Sequence, residues 1–231
     1  TKKPVSGKAR IQVTSKVTFN TVEKFINLEE PWQFAEDWNE ATNFPGSPVF
    51  QYDGTTNVEG LYFPSVEEIR NNPDQWGVDW QDEIFDNTIT TNQSVSVSDK
   101  IGNSSYNISY STLDDTGILI DTRFKRNTFT ARINSSKWNN KLKYGANVYY
   151  SKSAGNNKSN SGGNSFNVGV INNALSYNNV FPVYDENGDY FVIQNPDGSQ
   201  DNLNHPLNYL KGINDLTEGK YLIISGFADL K

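Results

Sequence analysis

The sequence has no cysteine and no methionine, a single histidine (His205), and 20 basic residues against 27 acidic ones. Without cysteine, a disulfide scaffold, a thiolate zinc site and a Cys nucleophile are all excluded. One histidine removes the His-rich metal sites and leaves little for a His general base. A net charge of −7 provides no basic face for phosphate contacts, so nucleic acid is not a partner. Apolar runs such as Ile118-Leu119-Ile120 and Leu222-Ile223-Ile224 stop far short of a membrane-spanning helix. The chain begins Thr1-Lys2-Lys3-Pro4 and ends straight after an apolar strand-like run, so it is expected to be a segment of something longer.

Aromatic residues are plentiful, with 5 Trp, 12 Tyr and 13 Phe, which argues for an ordered chain. The dominant pattern is period-2 alternation. From Ile11 to Asn20 one face reads Ile11, Val13, Ser15, Val17, Phe19 and the other is polar. The same rhythm covers Ile89–Ser98, Tyr106–Ser111, Thr128–Asn134 and Leu142–Tyr150. A less clean run, apolar on both faces, covers Lys220–Ala228. Six strands of roughly nine to eleven residues are expected.

The connections carry more information than the strands. Their order is long, short, medium, short, long. In an antiparallel meander alternate connections lie at the same end, so the long ones share one side and the short turns the other. That asymmetry matches an outer-membrane β-barrel, with short periplasmic turns and long extracellular loops. A secreted β-sandwich gives the same alternation with its apolar face inward, but has no reason to sort its loops by length. Aromatics near strand ends (Phe19, Tyr106, Tyr144, Tyr149, Tyr150) fit an interfacial girdle and equally fit cross-strand packing.

The long loops have structure of their own. Pro31 followed by Phe34, Trp38 and Ala41 predicts a helix over 31–41. Ser65-Val66-Glu67-Glu68 is a capping box opening a helix that Asn72-Pro73 ends. Asp79 to Phe85 reads as a further short helical turn. Ser153 to Asn164 is rich in Gly, Asn and Ser, and Asn187-Gly188 signals a hairpin.

The stretch Asp79-Trp80-Gln81-Asp82-Glu83-Ile84-Phe85 resembles the signature of SusC/RagA-type TonB-dependent outer-membrane transporters of Bacteroidetes. Collinear stretches agree. Thr1–Lys3 with Gly7–Ile11 is similar to the junction between plug and barrel, and Asn92–Ser98 to the second strand. Tyr106–Tyr110 with Gly117–Ile120 and Phe124–Arg126 resembles the next hairpin, Leu142–Asn147 the fifth strand, and Phe181–Asp185 with Gly188 an extracellular loop. Asp99–Asn103 and Asn156–Asn164 follow no family pattern. The resemblance implies an all-β fold: an antiparallel up-and-down transmembrane barrel segment, about six strands of a barrel of about 22. Residues 1–8 would end the plug and 9–231 would form the N-terminal part of the barrel, with long loops at about 21–87 and 152–219.

The function so implied is import of glycans or peptides across the cell outer membrane, without enzymatic chemistry and without a cofactor. Implied partners are a SusD-like surface lipoprotein, TonB through the N-terminal part, a glycan or peptide ligand, and outer-membrane lipid. The rival readings are a secreted β-sandwich glycan-binding module and, more weakly, a glycosidase fragment. Carboxylate pairs such as Glu29-Glu30, Glu67-Glu68 and Asp82-Glu83 are sequence neighbours, not residues facing each other across a cleft as a glycosidase needs. Asp185-x-Asn187-x-Asp189 begins like a calcium loop, but Tyr190 and Pro196 stand where Gly and Glu are required, so a plain turn is expected. His205 reads as a surface loop residue. Arg123, Lys125 and Arg126 form a basic spot expected to be solvated or to face acidic neighbours. Trp32, Trp38, Trp76 and Tyr184 are candidate contacts to ligand or lid, while the tryptophans of the first loop better suit a small core of its own. Trp80 and Phe85 are expected to anchor that loop, with Asp79 as the cap.

Overall fold

The computed structural model describes residues 9–43, 50–56, 60–156, 158, 169–193, 205–212 and 215–231. The plug-end reading of residues 1–8 and most of the Asn/Ser-rich stretch beyond 156 lie outside the described residues. In chain order the elements are β1 (Arg10–Asn20), α1 (Pro31–Thr42), β2 (Thr55–Thr56), β3 (Tyr62–Phe63), α2 (Val66–Asn71) and α3 (Trp80–Ile84). There follow β4 (Thr88–Ile101), β5 (Ser104–Thr116), β6 (Arg123–Lys137), β7 (Leu142–Asn156), α4 (Val170–Ser176), α5 (Pro206–Gly212) and β8 (Leu216–Leu230). The fold is mostly β and antiparallel. Two compact units emerge: the sheet, from Thr1–Thr21, Asn87–Asn157 and Asn214–Lys231, and a second unit from Val22–Asp86 and Lys158–Ile213.

The first unit is a six-stranded antiparallel sheet in the order β1-β4-β5-β6-β7-β8. Residues directly opposite in such a ladder point to the same face, so the register sorts the side chains without ambiguity. One row runs Val13, Val95, Tyr110, Phe129, Tyr150, Leu222. The next runs Ile11, Val97, Ile108, Ala131, Val148, Ile224. Ile133 and Ala146 pair one step beyond. The intervening rows are polar from β1 to β6: Gln12, Ser96, Ser109, Thr130 form one and Thr14, Ser94, Ser111, Thr128 another, and they end on Tyr149 with Ile223 and on Ser151 with Tyr221 at β7 and β8. Hydroxyls bond across this second face, as between Ser109 and Thr130 at 2.5 Å. A one-residue slip would exchange the two sets, so the period-2 pattern itself holds the register.

Two details depart from the expectation. The strands reach 11 to 15 residues because the ladder continues past the apolar alternation into polar segments such as Ser151–Asn156. The second long connection is correspondingly shorter than 152–219, since β7 ends at Asn156 and β8 starts at Leu216. Tyr149 lies on the polar face, opposite Thr130 and Ile223, while Tyr106, Tyr144 and Tyr150 lie with the apolar set.

The tight turns fall at one end of the sheet. β4 and β5 join through Gly102-Asn103, with Gly102 at φ 58. Between β6 and β7, Trp138, Asn139 and Asn140 all take left-handed backbone angles (φ 52, 55 and 70), which the two asparagines tolerate best. The chain leaves the opposite end through Thr21–Asn87, through Gly117–Thr122, and again after Asn156. Long, short, medium, short, long is the observed order.

The second unit draws on both long connections. Its core comprises Ala35, Tyr52, Phe63, Ile69, Val180 and Phe181, with Trp32, Phe34, Trp76 and Phe191 packed around them. Pro31 starts α1, and the Glu30 amide donates to Gln33 Oε1 (3.0 Å). Ser65 Oγ accepts from the Glu68 amide (3.2 Å) to open α2, which buries Ile69 against the aromatics. β2 and β3 form a two-stranded sheet bringing Phe63 under Tyr52, with ring centroids 5.3 Å apart.

Candidate functional site

The seven residues from Asp79 to Phe85 form one connected cluster of the second unit. Asp79 caps α3, its carboxylate accepting from the Gln81 amide at 2.9 Å. Helical spacing then puts Trp80 and Ile84 on one face, 2% and 0% exposed. The Trp80 Nε1–H donates to the Asn178 carbonyl (2.8 Å), and its ring meets Tyr177 and His205 edge-on at 5.4 and 5.0 Å. Gln81 works as a two-handed clamp. Its Nε2 donates to the Ile26 carbonyl and its Oε1 accepts from the Ile26 amide, both at 2.9 Å. Phe85 stacks on Phe25 at 6.3 Å. Asp82 and Glu83 are exposed in the first helical turn.

His205 is a correction. Far from lying on the surface, it is fully buried among Trp80, Tyr177 and Tyr190, with ring centroids 4.8 to 5.5 Å away. The signal was the His205-Pro206 junction: Pro206 starts α5, and the Asn208 amide donates to His205 Nδ1 at 3.3 Å. Leu207 and Leu210, one turn apart, then bury the helix. Burial pushes the imidazole pKa below its ordinary value, opposed by the Val183 carbonyl. The Lys158 ammonium, buried nearby in the same unit, donates to the Leu210 carbonyl at 2.6 Å.

The four candidate contacts separate. Trp32 and Trp76 line one cavity of about 640 Å³, which also takes in Glu29, Glu30, Arg70 and Asn179. Arg70 lies over the Trp32 ring, its guanidinium carbon 4.1 Å from the centroid. Trp76 packs edge-on to Phe181 at 6.4 Å, so it belongs both to the core and to the cavity wall. Trp38 lies elsewhere, its Nε1–H donating to the Phe50 carbonyl at 2.8 Å and its ring stacked on Phe34. Tyr184 is half-exposed and stacks on Tyr190 (5.5 Å) at the base of the expected hairpin. Asp185 Oδ1 accepts from the amides of Asn187 and Asp189 at that turn, both at 2.9 Å. Asp79 and Gln81 reach the cavity wall, whereas Trp80 faces the His205 cage.

The sequence reading missed the second clamp of the unit. Asn39 Nδ2 donates to the Tyr52 carbonyl and Asn39 Oδ1 accepts from the Tyr52 amide, at 2.9 and 2.7 Å. Tyr52 Oη accepts from Asn178 Nδ2 at 2.6 Å, and burial raises its pKa. The cavity thus offers indole faces, amides, three carboxylates (Glu29, Glu30 and Asp79) and one guanidinium: groups that stack and hydrogen-bond. The basic spot resolves as expected for two of its members, since Arg123 and Lys125 both pair with Asp114, at 2.7 and 3.4 Å. Compared with known proteins, the chain matches no family model and no curated protein.

Proposed function

We propose that this chain is the N-terminal barrel portion of a SusC/RagA-type TonB-dependent outer-membrane transporter. One observation carries the reading: the six-stranded sheet presents a continuous apolar face that no other element of its own unit covers. Val13 is 74% exposed, Ile133 53% and Ile224 69%. Apolar surface on that scale is left bare by a water-soluble domain only where something else covers it. A sandwich would lay a second sheet there, and the other sheet among the described residues has two residues per strand. The sorting of connections by length between the two ends of the sheet supports the same reading. So do the outer edges of β1 and β8, which have no partner strand among the described residues and suit a wall that continues. In the function that follows, loops outside the cell capture a glycan or peptide under a SusD-like lid, and TonB acting on the plug admits it. The cavity walled by Trp32 and Trp76 would contribute to capture by stacking and hydrogen bonding.

The test is site-directed spin labelling along β6 in the full-length protein, reconstituted in bilayers. This chain contributes no competing thiol. Labels at Phe129, Ala131 and Ile133 are expected to meet dissolved oxygen and exclude a water-soluble nickel chelate. Labels at Thr130 and Arg132 are expected to show no such lipid signature. Full nickel access at both sets, in protein that stays soluble without detergent, would overturn the reading in favour of a soluble β module.

A further inference from the structure

Resting on the lipid-facing reading of the sheet, we propose that Lys152 and Lys220 form a binding site for the anionic phosphate headgroup of a membrane lipid. The register sets the two lysines directly opposite each other on β7 and β8. Both lie on the apolar face, since each is two residues from a member of the apolar row: Tyr150 precedes Lys152, and Leu222 follows Lys220. Along each strand the lysine is therefore the first residue outward of the apolar band, at the end of the sheet where the long connections leave. On β7 the order outward is Val148, Tyr150, Lys152 and on β8 it is Ile224, Leu222, Lys220, so apolar side chains, with one aromatic ring, give way to ammonium as on crossing from hydrocarbon to headgroup.

Two like charges held face to face across a ladder destabilise it. The sheet supplies no relief. Among the described residues the ion pairs are Arg70–Glu36, Arg123–Asp114 and Lys125–Asp114, and neither lysine belongs to one. Asp114, on the same face, is already shared by Arg123 and Lys125. Glu218 stands one step further out, opposite Ala154, and lies in none of these pairs. Asn127 flanks Lys152 on β6, and its Oδ1 is occupied by the Tyr110 hydroxyl at 2.8 Å. Both lysines are exposed. Two ammoniums with an amide NH2 beside them match the oxygens of a phosphate, and the rows below match the acyl chains attached to it. A free anion would satisfy the ammoniums but leave those rows unused.

The experiment titrates dihexanoyl phosphatidic acid against the full-length protein in maltoside micelles and counts bound lipid by native mass spectrometry. Dihexanoyl phosphatidylcholine and inorganic phosphate serve as comparison probes. Phosphatidic acid is expected to bind more tightly than phosphatidylcholine, and the K152Q/K220Q double variant to lose on the order of tenfold in affinity. A control variant, K16Q on the opposite face, is expected to bind as the parent does. Equal binding by parent and K152Q/K220Q would overturn the site, and competition by inorganic phosphate at equal concentration would overturn the assignment to a lipid. A protein that takes up neither detergent nor any lipid would instead defeat the lipid-facing reading itself.

Discussion

Replacing Trp80 tests whether the Asp79–Phe85 stretch is a latch or a ligand contact. The indole is buried, donates one hydrogen bond to Asn178, and forms one wall of the cage around His205. Truncating such a residue to alanine costs about 3–5 kcal/mol through lost burial and the cavity left behind. Leaving the Asn178 carbonyl without a donor adds about 1–3 kcal/mol. A folded domain holds only about 5–15 kcal/mol in total, and a sub-global unit holds less, so Trp80→Ala removes most of what keeps this unit closed. Trp80→Phe keeps the ring contacts and loses the hydrogen bond, so its cost is expected to be nearer 2 kcal/mol. The assay is whole-cell display of the full-length protein, followed by limited proteolysis scored for cuts within Val22–Asp86 and Lys158–Ile213. Display and resistance are expected to fall in the order parent, Trp80→Phe, Trp80→Ala. If Trp80→Ala stayed displayed and resistant while ligand binding alone vanished, the latch argument would be refuted and Trp80 would be a contact residue.

Gln81→Ala leaves both the amide and the carbonyl of Ile26 without their partner. At about 1–3 kcal/mol for each orphaned group, hydrogen exchange at the Ile26 amide is expected to quicken at least tenfold. His205 gives the second unit a pH dependence of definite sign. Burial lowers its pKa in the folded form, so as pH falls below the ordinary value of 6.5 the unfolded chain takes up the proton first and stability drops until the folded pKa is reached. Thermal unfolding of this unit followed from about pH 8 to about pH 5 is expected to show that loss, and His205→Phe to abolish it; an unchanged slope in the variant would mean the proton goes elsewhere. Ile133→Lys on the apolar face is expected to cost about 2–4 kcal/mol in a bilayer, against a few tenths if the position faces water. Urea titration of the full-length protein in lipid separates the two outcomes.

The sheet was legible because alternation is a local signal. Ile11, Val13 and Val17 already state which face β1 buries or exposes, and Val95 and Val97 answer them in the register the sheet adopts. Loop lengths then gave the order of connections, and the capping chemistry of Ser65 and Pro31 located two helices to within a residue or two. The strand ends were not legible. Beyond Tyr150 the residues are small and polar, and a ladder of serine, alanine and glycine carries no period to count. Nearness to a strand end likewise left Tyr149 open between girdle and cross-strand packing, since face is decided by parity, and its place opposite Thr130 puts it on the polar face.

The second unit shows a harder limit, because its partners are distant in sequence. Trp80 finds Asn178 across 98 positions, and Asn178 in turn holds Tyr52 across 126. A lone histidine in a polar loop resembles a surface residue until Trp80, Tyr177 and Tyr190 are known to enclose it. The Asp-Trp-Gln-Asp-Glu-Ile-Phe stretch could be noticed as a motif, but the reason for each letter is three-dimensional. Asp79 must accept an amide hydrogen, Trp80 and Ile84 must be one helical turn apart, and Gln81 must offer a donor and an acceptor together. Glutamate at 81 would lose the donor and bury a charge, and asparagine would fall one methylene short of Ile26. Asp82 and Glu83 face solvent and contribute their charge to the helix N-terminus, worth a few tenths of a kcal/mol. The stretch therefore divides into residues that hold the two long connections in one core and residues that only make the turn soluble. Substitution at 80, 81 or 84 should destabilise the unit, whereas substitution at 82 or 83 should leave its stability nearly unchanged.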